Sequence, residues 1–161
     1  MSNTVSPDPK FMRMAIKLAT DNVLSGNGGP FGAVVVRDGE VIAATANTVT
    51  RANDPTAHAE VNAIREACGK LETFQLEDCD VYTSCEPCPM CMAALYWSRC
   101  RAVYYGNTKA DAAAVGFDDQ FLYEEVNRPL EQRRLPFQRM LPDEAIRSFQ
   151  AWQNSNERID Y

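Results

Sequence analysis

Apolar positions recur at helical spacing near the start of the chain: Phe11, Met14, Ala15, Leu18 and Ala19 fall on one stripe within residues 11–24. Ser25-Gly26-Asn27-Gly28-Gly29-Pro30 ends that helix in a tight loop. Two short apolar, β-branched runs follow, residues 31–36 and 41–46, separated by Arg37-Asp38-Gly39-Glu40. Asp38-Gly39 predicts a hairpin, because both residue types tolerate the positive φ that a two-residue turn needs. Asp54 is placed to cap a helix with Pro55 in its first turn; Ala57, Val61, Ile64 and Cys68 give its apolar face, and Gly69 stops it. The pattern then predicts a strand at about 79–83, a helix opened by Pro87 over 88–96, and a strand at 101–105. Beyond Gly106 it turns helical, with segments 121–126 and 143–154 after a Gly116-Phe117-Asp118-Asp119 loop. A hairpin followed by strand–helix–strand units predicts a mixed sheet with helices on both faces. Sites in such sheets gather beyond the carboxyl ends of strands, which is where His58 and Cys88 fall.

Composition narrows the function classes. The 161 residues, 45% hydrophobic and 24% charged, suit one globular domain spanning 1–161, with 1–9 as a flexible leader. The start shows no signal-peptide pattern, and no apolar run approaches the roughly 20 residues that cross a bilayer. Sixteen basic against 22 acidic residues leave a net charge of −6, which argues against a nucleic-acid partner. Six cysteines, three of them in Cys85-Glu86-Pro87-Cys88-Pro89-Met90-Cys91, read as a metal cluster in a reducing compartment, the cytoplasm, rather than as disulfides.

The chemistry concentrates in His58-Ala59-Glu60 and Pro87-Cys88-Pro89-Met90-Cys91. One imidazole and two thiolates make a three-ligand zinc set that keeps a fourth position open. Glu60 is two residues from His58; on a helix the two side chains would point about 200° apart, so they do not share one ion comfortably. At a helix start, however, His58 can reach the ion while Glu60 reaches water and substrate. This is the H-x-E then P-C-x-x-C signature of zinc deaminases, in which the Glu carries protons and is not a ligand. Spacing leaves two Cys pairs open, Cys85/Cys88 and Cys88/Cys91; a helix beginning at Pro87 favours Cys88 and Cys91 on one face. A structural zinc site, with Cys85 as fourth ligand, is the competing reading, and it leaves Glu60 without a purpose. His58 is the only histidine, so a Cys–His hydrolase would need the same ring and would explain neither Cys91 nor Glu60.

These stretches, with Gly29-Pro30-Phe31-Gly32-Ala33, Asn53-Asp54-Pro55-Thr56-Ala57, Gly116-Phe117-Asp118-Asp119 and Phe149-Gln150-Ala151-Trp152 near Tyr161, resemble the cytidine-deaminase-like superfamily, and within it the bacterial guanine deaminases. The resemblance implies an α/β fold, a three-layer α/β/α sandwich around a mixed five-stranded sheet, and hydrolysis of guanine to xanthine and ammonia. It implies zinc on His58, Cys88 and Cys91, Glu60 as proton shuttle, and Asp119 holding the 2-amino group and assisting ammonia loss. Asn47 would hydrogen-bond the base, and Phe31 and Trp97 would wall the pocket. It further implies a homodimer exchanging a helical segment at about 120–161, with Tyr161 capping the substrate. Each of these residues also has a plainer role: Asn47 in a turn, one of Asp118 and Asp119 as a helix cap, Phe31 and Trp97 in the core, and Cys68, Cys79 and Cys100 as small buried apolar groups. Guanosine, cytosine or aminotriazine deamination, tRNA adenosine deamination, and a zinc-stabilised binding module are the alternatives.

Overall fold

The computed structural model describes residues 6–161. The part of the expected leader at 1–5 lies outside the described residues. Asp8 caps helix α1 (Pro9–Leu24), its carboxylate accepting from the Lys10 amide at 2.9 Å, so the helix begins two residues before Phe11. Strands β1 (Gly32–Arg37) and β2 (Glu40–Ala46) form the expected hairpin; Asp38 and Gly39 take φ of 53° and 81°. After a short helix α2 (Val49–Ala52) come α3 (Ala59–Leu71), β3 (Cys79–Cys85), α4 (Pro89–Ser98) and β4 (Ala102–Asn107).

The sheet runs β2-β1-β3-β4, with β1 antiparallel to both neighbours and β3 parallel to β4. Period-two alternation sends Ala33, Val35 and Val81 to one face, where they pack on Ala59, Ala63 and Ala67 of α3 and Leu95 of α4. Val34, Val36 and Tyr82 go to the other face, under Phe11 and Ala15 of α1. Alanine on α3 and glycine at the start of β1 bring these layers close. Any side chain at Gly32 would collide with the Ala15 carbonyl oxygen and the Leu18 side chain.

The five-stranded sheet is corrected: among the described residues the sheet has four strands. The chain after β4 cannot supply a fifth, because it turns helical at once. Thr108 and Asp111 form a reciprocal capping box that starts α5 (Lys109–Ala114), and its alanine-rich run favours a helix. The expected helix start at Asp54 is also displaced. Its carboxylate accepts from both the Thr56 amide and the Thr56 hydroxyl, at 2.8 and 2.7 Å, closing a turn instead of a cap. Helix α3 therefore begins at Ala59, with His58 as its N-cap.

The chain divides into two compact units, Met1–Asp119 and Gln120–Tyr161. The second holds α6 (Gln120–Asn127), a 3-10 turn (Leu130–Gln132) and α7 (Pro142–Asn154). Within it Glu125 binds the Arg128 guanidinium and the Arg134 amide, both at 2.8 Å, and the Trp152 and Tyr161 rings meet edge to face. Among the described residues no helix is long and apolar enough to cross a membrane.

Candidate active site

Two helix starts meet beyond the sheet. His58, as N-cap of α3, has extended backbone (φ −67°, ψ 155°), and Cys88, as N-cap of α4, does too (φ −64°, ψ 168°). Because His58 stands outside the helix, it is released from the angular conflict with Glu60. Pro89 rather than Pro87 occupies the first helical position of α4, so Cys88 sits at the cap and Cys91 one turn inside.

His58 Nδ1 lies 3.6 Å from Cys88 Sγ and 3.4 Å from Cys91 Sγ, and one ligand atom from each of the three residues falls within 4.8 Å of the others. Tetrahedral zinc with Zn–S of about 2.3 Å and Zn–N of about 2.0–2.1 Å needs an S···N separation of about 3.6 Å. The donor set therefore fits zinc in both chemistry and spacing. Cys85 is not part of this cluster: its thiol donates to the Thr108 carbonyl at 3.7 Å, and burial first, then the charges of Glu60, Glu86 and Asp119, push it up to about 11. A site with four protein ligands loses its fourth candidate.

The electrostatics suit cation binding. The Cys91 thiol's hydrogen bond is the largest influence lowering Cys88 to about 4; burial opposes it and His58 assists. Cys91 moves the other way, first through that same bond to Cys88 and then through burial. His58 is raised by its hydrogen bond to Cys88 against burial. The N-termini of α3 and α4 add their partial positive charge beside the thiolate.

Glu60 is 5% exposed. Its Oε1 accepts from the Thr83 hydroxyl at 2.8 Å, and its Oε2 accepts from the Cys91 thiol at 3.4 Å. Burial dominates and lifts the carboxyl above its ordinary value, while the hydrogen bonds pull down. A buried carboxyl against the ligand cluster that readily holds a proton is what proton transfer requires.

Other expected residues are distributed unevenly. Asn47 follows β2 and is 7% exposed; its Oδ1 accepts from the Val49 amide at 3.2 Å, leaving Nδ2 as the donor for another partner. Its amide donates to the Phe31 carbonyl at 3.0 Å, and a Cβ at Gly29 would touch both residues' side chains. Phe31 packs edge-on against Phe117, with ring centroids 4.9 Å apart. Asp119 is raised by burial first and then by the negative charge of Cys88. Trp97, by contrast, is 66% exposed on the last turn of α4, and Tyr161 belongs to the other compact unit.

Two supporting residues escaped the sequence reading. Asn22 Nδ2 donates to the carbonyls of Gly29 and Asn47, at 2.8 and 2.9 Å, fixing the loop that carries Phe31. Its signal was a polar residue in register with Phe11, Ala15 and Ala19 on the buried stripe of α1. Thr83 passed for an ordinary strand residue.

A layered α/β unit with an imidazole and two thiols at paired helix starts, and a buried acid against them, defines a zinc-dependent hydrolytic centre. The chain belongs to the family described as the cytidine and deoxycytidylate deaminase zinc-binding region, which matches residues 5–107. It is similar to guanine deaminase of Bacillus subtilis (strain 168), 52% identical over 151 residues, covering 94% of this chain and 97% of that one. The X-ray structure of guanine deaminase from Bacillus subtilis superposes with a TM-score of 0.94 at 51% identity, covering 97% of this chain and 99% of the other. A tRNA-specific adenosine deaminase of Aquifex aeolicus (strain VF5) is 43% identical over 95 residues, 59% of this chain and 62% of that protein.

Proposed function

We propose that this chain hydrolyses guanine to xanthine and ammonia, with zinc held by His58, Cys88 and Cys91. The observation that carries the reading is how far each likeness extends. The metal-binding region is common to several deaminases, but likeness to a guanine deaminase continues past residue 107 over 94% of the chain. Likeness to tRNA-specific adenosine deaminases covers 59% of the chain at 43% identity in one relative and 75% at 37% identity in another, less on both counts than the guanine deaminase. The net charge of −6 also disfavours an RNA partner.

Zinc bound there supplies Lewis acidity that brings water within reach of ionisation near neutral pH. The chain's own groups do the rest. Glu60 takes a proton from the attacking water and passes it to ring N3, then takes the remaining hydroxyl proton of the C2 adduct and delivers it to the departing amine as the carbonyl forms. Asp119 holds the 2-amino group and shares in its expulsion. Asn47 Nδ2 donates to the base, and Phe31 forms one wall. One water is consumed, one C–N bond breaks, and ammonia and xanthine leave.

The reading extends to a homodimer in which residues 120–161 of one copy close the other's site, placing Trp97 at the pocket wall and Tyr161 over the substrate. The exposed Tyr96 and Trp97 on α4 support it as apolar surface for a second copy to cover. Sedimentation of the intact chain tests this, and a monomer at assay concentration sinks it. We also place the protein in the cytoplasm, where its six cysteines, none of them in a disulfide, stay reduced.

Ammonia release and ultraviolet change across guanine, guanosine, adenine, cytosine and aminated triazines test the substrate. Guanine is expected to turn over fastest. No release from guanine by the zinc-loaded chain overturns the proposal.

A further inference from the structure

We infer that Thr83 is a positioning residue for the reaction: its hydroxyl orients the Glu60 carboxyl so that Oε2 faces the zinc-ligand cluster. The inference rests on Glu60 being the proton-carrying group. Thr83 lies in β3, where it pairs with Ala33 of β1, and shares a sheet face with Val81 of the core. It is fully buried. A hydroxyl in such a layer is costly unless it is hydrogen-bonded, and valine would fill the same space without that penalty. The hydroxyl is therefore present for its partners.

It has two acceptors and one hydrogen: Glu60 Oε1 at 2.8 Å and the Cys85 carbonyl at 3.1 Å. The nearer one ties Oε1 to the strand. A glutamate's terminal torsion is broad and roughly two-fold, so an untethered carboxyl swings between alignments. Fixing Oε1 to β3 leaves Oε2 as the oxygen turned to Cys91, 3.4 Å away. The strand end is itself firm, because the Glu86 amide donates to the Asn107 carbonyl at 2.8 Å. The Thr83 hydroxyl bonds to Glu60 and to the Cys85 carbonyl and not to a ligand side chain, so it acts through the acid and not through the metal.

The test compares Thr83→Val and Thr83→Ser with the zinc-loaded native chain, reading zinc content, thermal unfolding, kcat and KM. Thr83→Val is expected to keep one zinc per chain and its KM within about twofold, while kcat falls by about tenfold to a hundredfold, the scale of a misplaced catalytic group. Thr83→Ser is expected to restore kcat. Native kcat in Thr83→Val overturns the inference, as does a loss that arrives with zinc loss or raised KM, or one that serine does not rescue. Should the valine variant not fold, Thr83→Ala against Thr83→Ser differ by the hydroxyl alone and decide it in the same way. A native chain inactive on guanine instead overturns the proposed function, a separate outcome.

Discussion

The Cys91 thiol and the Glu60 carboxyl meet at 3.4 Å, sulfur to Oε2, so the acid stands against a metal ligand without being one of the three. Glu60→Gln keeps the shape and removes the proton carrier. It is expected to retain zinc and fold while kcat on guanine falls by about 100- to 10,000-fold. Metal analysis beside steady-state kinetics checks this, and zinc loss in the variant would assign Glu60 a structural task.

His58→Ala, Cys88→Ala and Cys91→Ala are each expected to bind clearly less than one zinc per chain, since two donors hold the ion poorly. Cys85→Ala, whose thiol turns to the Thr108 carbonyl, is expected to keep a full equivalent. Chelation should abolish ammonia release from the native chain, and added zinc should return it. A Cys85 variant that loses metal would contradict the ligand set.

Burial raises Glu60 above its ordinary 4.5, so in the metal-free protein the folded chain holds a proton that the unfolded chain has released. Stability from this group is complete below 4.5 and is lost as pH climbs through the raised value. Metal-free Glu60→Gln is therefore expected to melt above the metal-free native chain at pH 8, with the gap closing toward pH 4.5. Melting curves across that range read it directly, and a constant gap would refute it.

Asp119→Ala removes the proposed partner of the 2-amino group. A hydrogen bond to a charged group is worth about 1.5–3 kcal/mol, so kcat/KM on guanine should fall by about tenfold to a hundredfold. Unchanged kcat/KM would return Asp119 to the role of a loop residue.

At the start of β3, Arg101 grips Asp80 through Nε and Nη2, at 2.8 and 2.9 Å. The Asp80 side chain is only 5% exposed. Arg101→Ala leaves that carboxylate buried without its partner and should cost about 3 kcal/mol in urea unfolding, discounted for the partly exposed arginine. Turnover of the folded fraction should hold, because Asp80 lies at the opposite end of β3 from Cys85.

Legibility followed the range of the interactions. The hairpin was readable because Asp38 and Gly39 carry their own backbone preference, and the ligand set because C-x-x-C and H-x-E are short-range spacings. The start of α3 was misread since aspartate caps helices and closes turns with the same atoms; at Asp54 the Thr56 amide and hydroxyl won. The fifth strand was expected by likeness alone, and no β-branched run beyond Asn107 supports one. Thr83 and Asn22 were hidden because their partners lie 23 and 25 residues away, where spacing says nothing.

The lone imidazole at the head of α3 has a practical consequence. With a single histidine in 161 residues, a tag-free sample gives one set of imidazole ring signals in a proton spectrum. That set comes from the residue facing both sulfurs, so metal uptake can be followed as the shift of one unambiguous resonance, with no assignment and no labelled atoms.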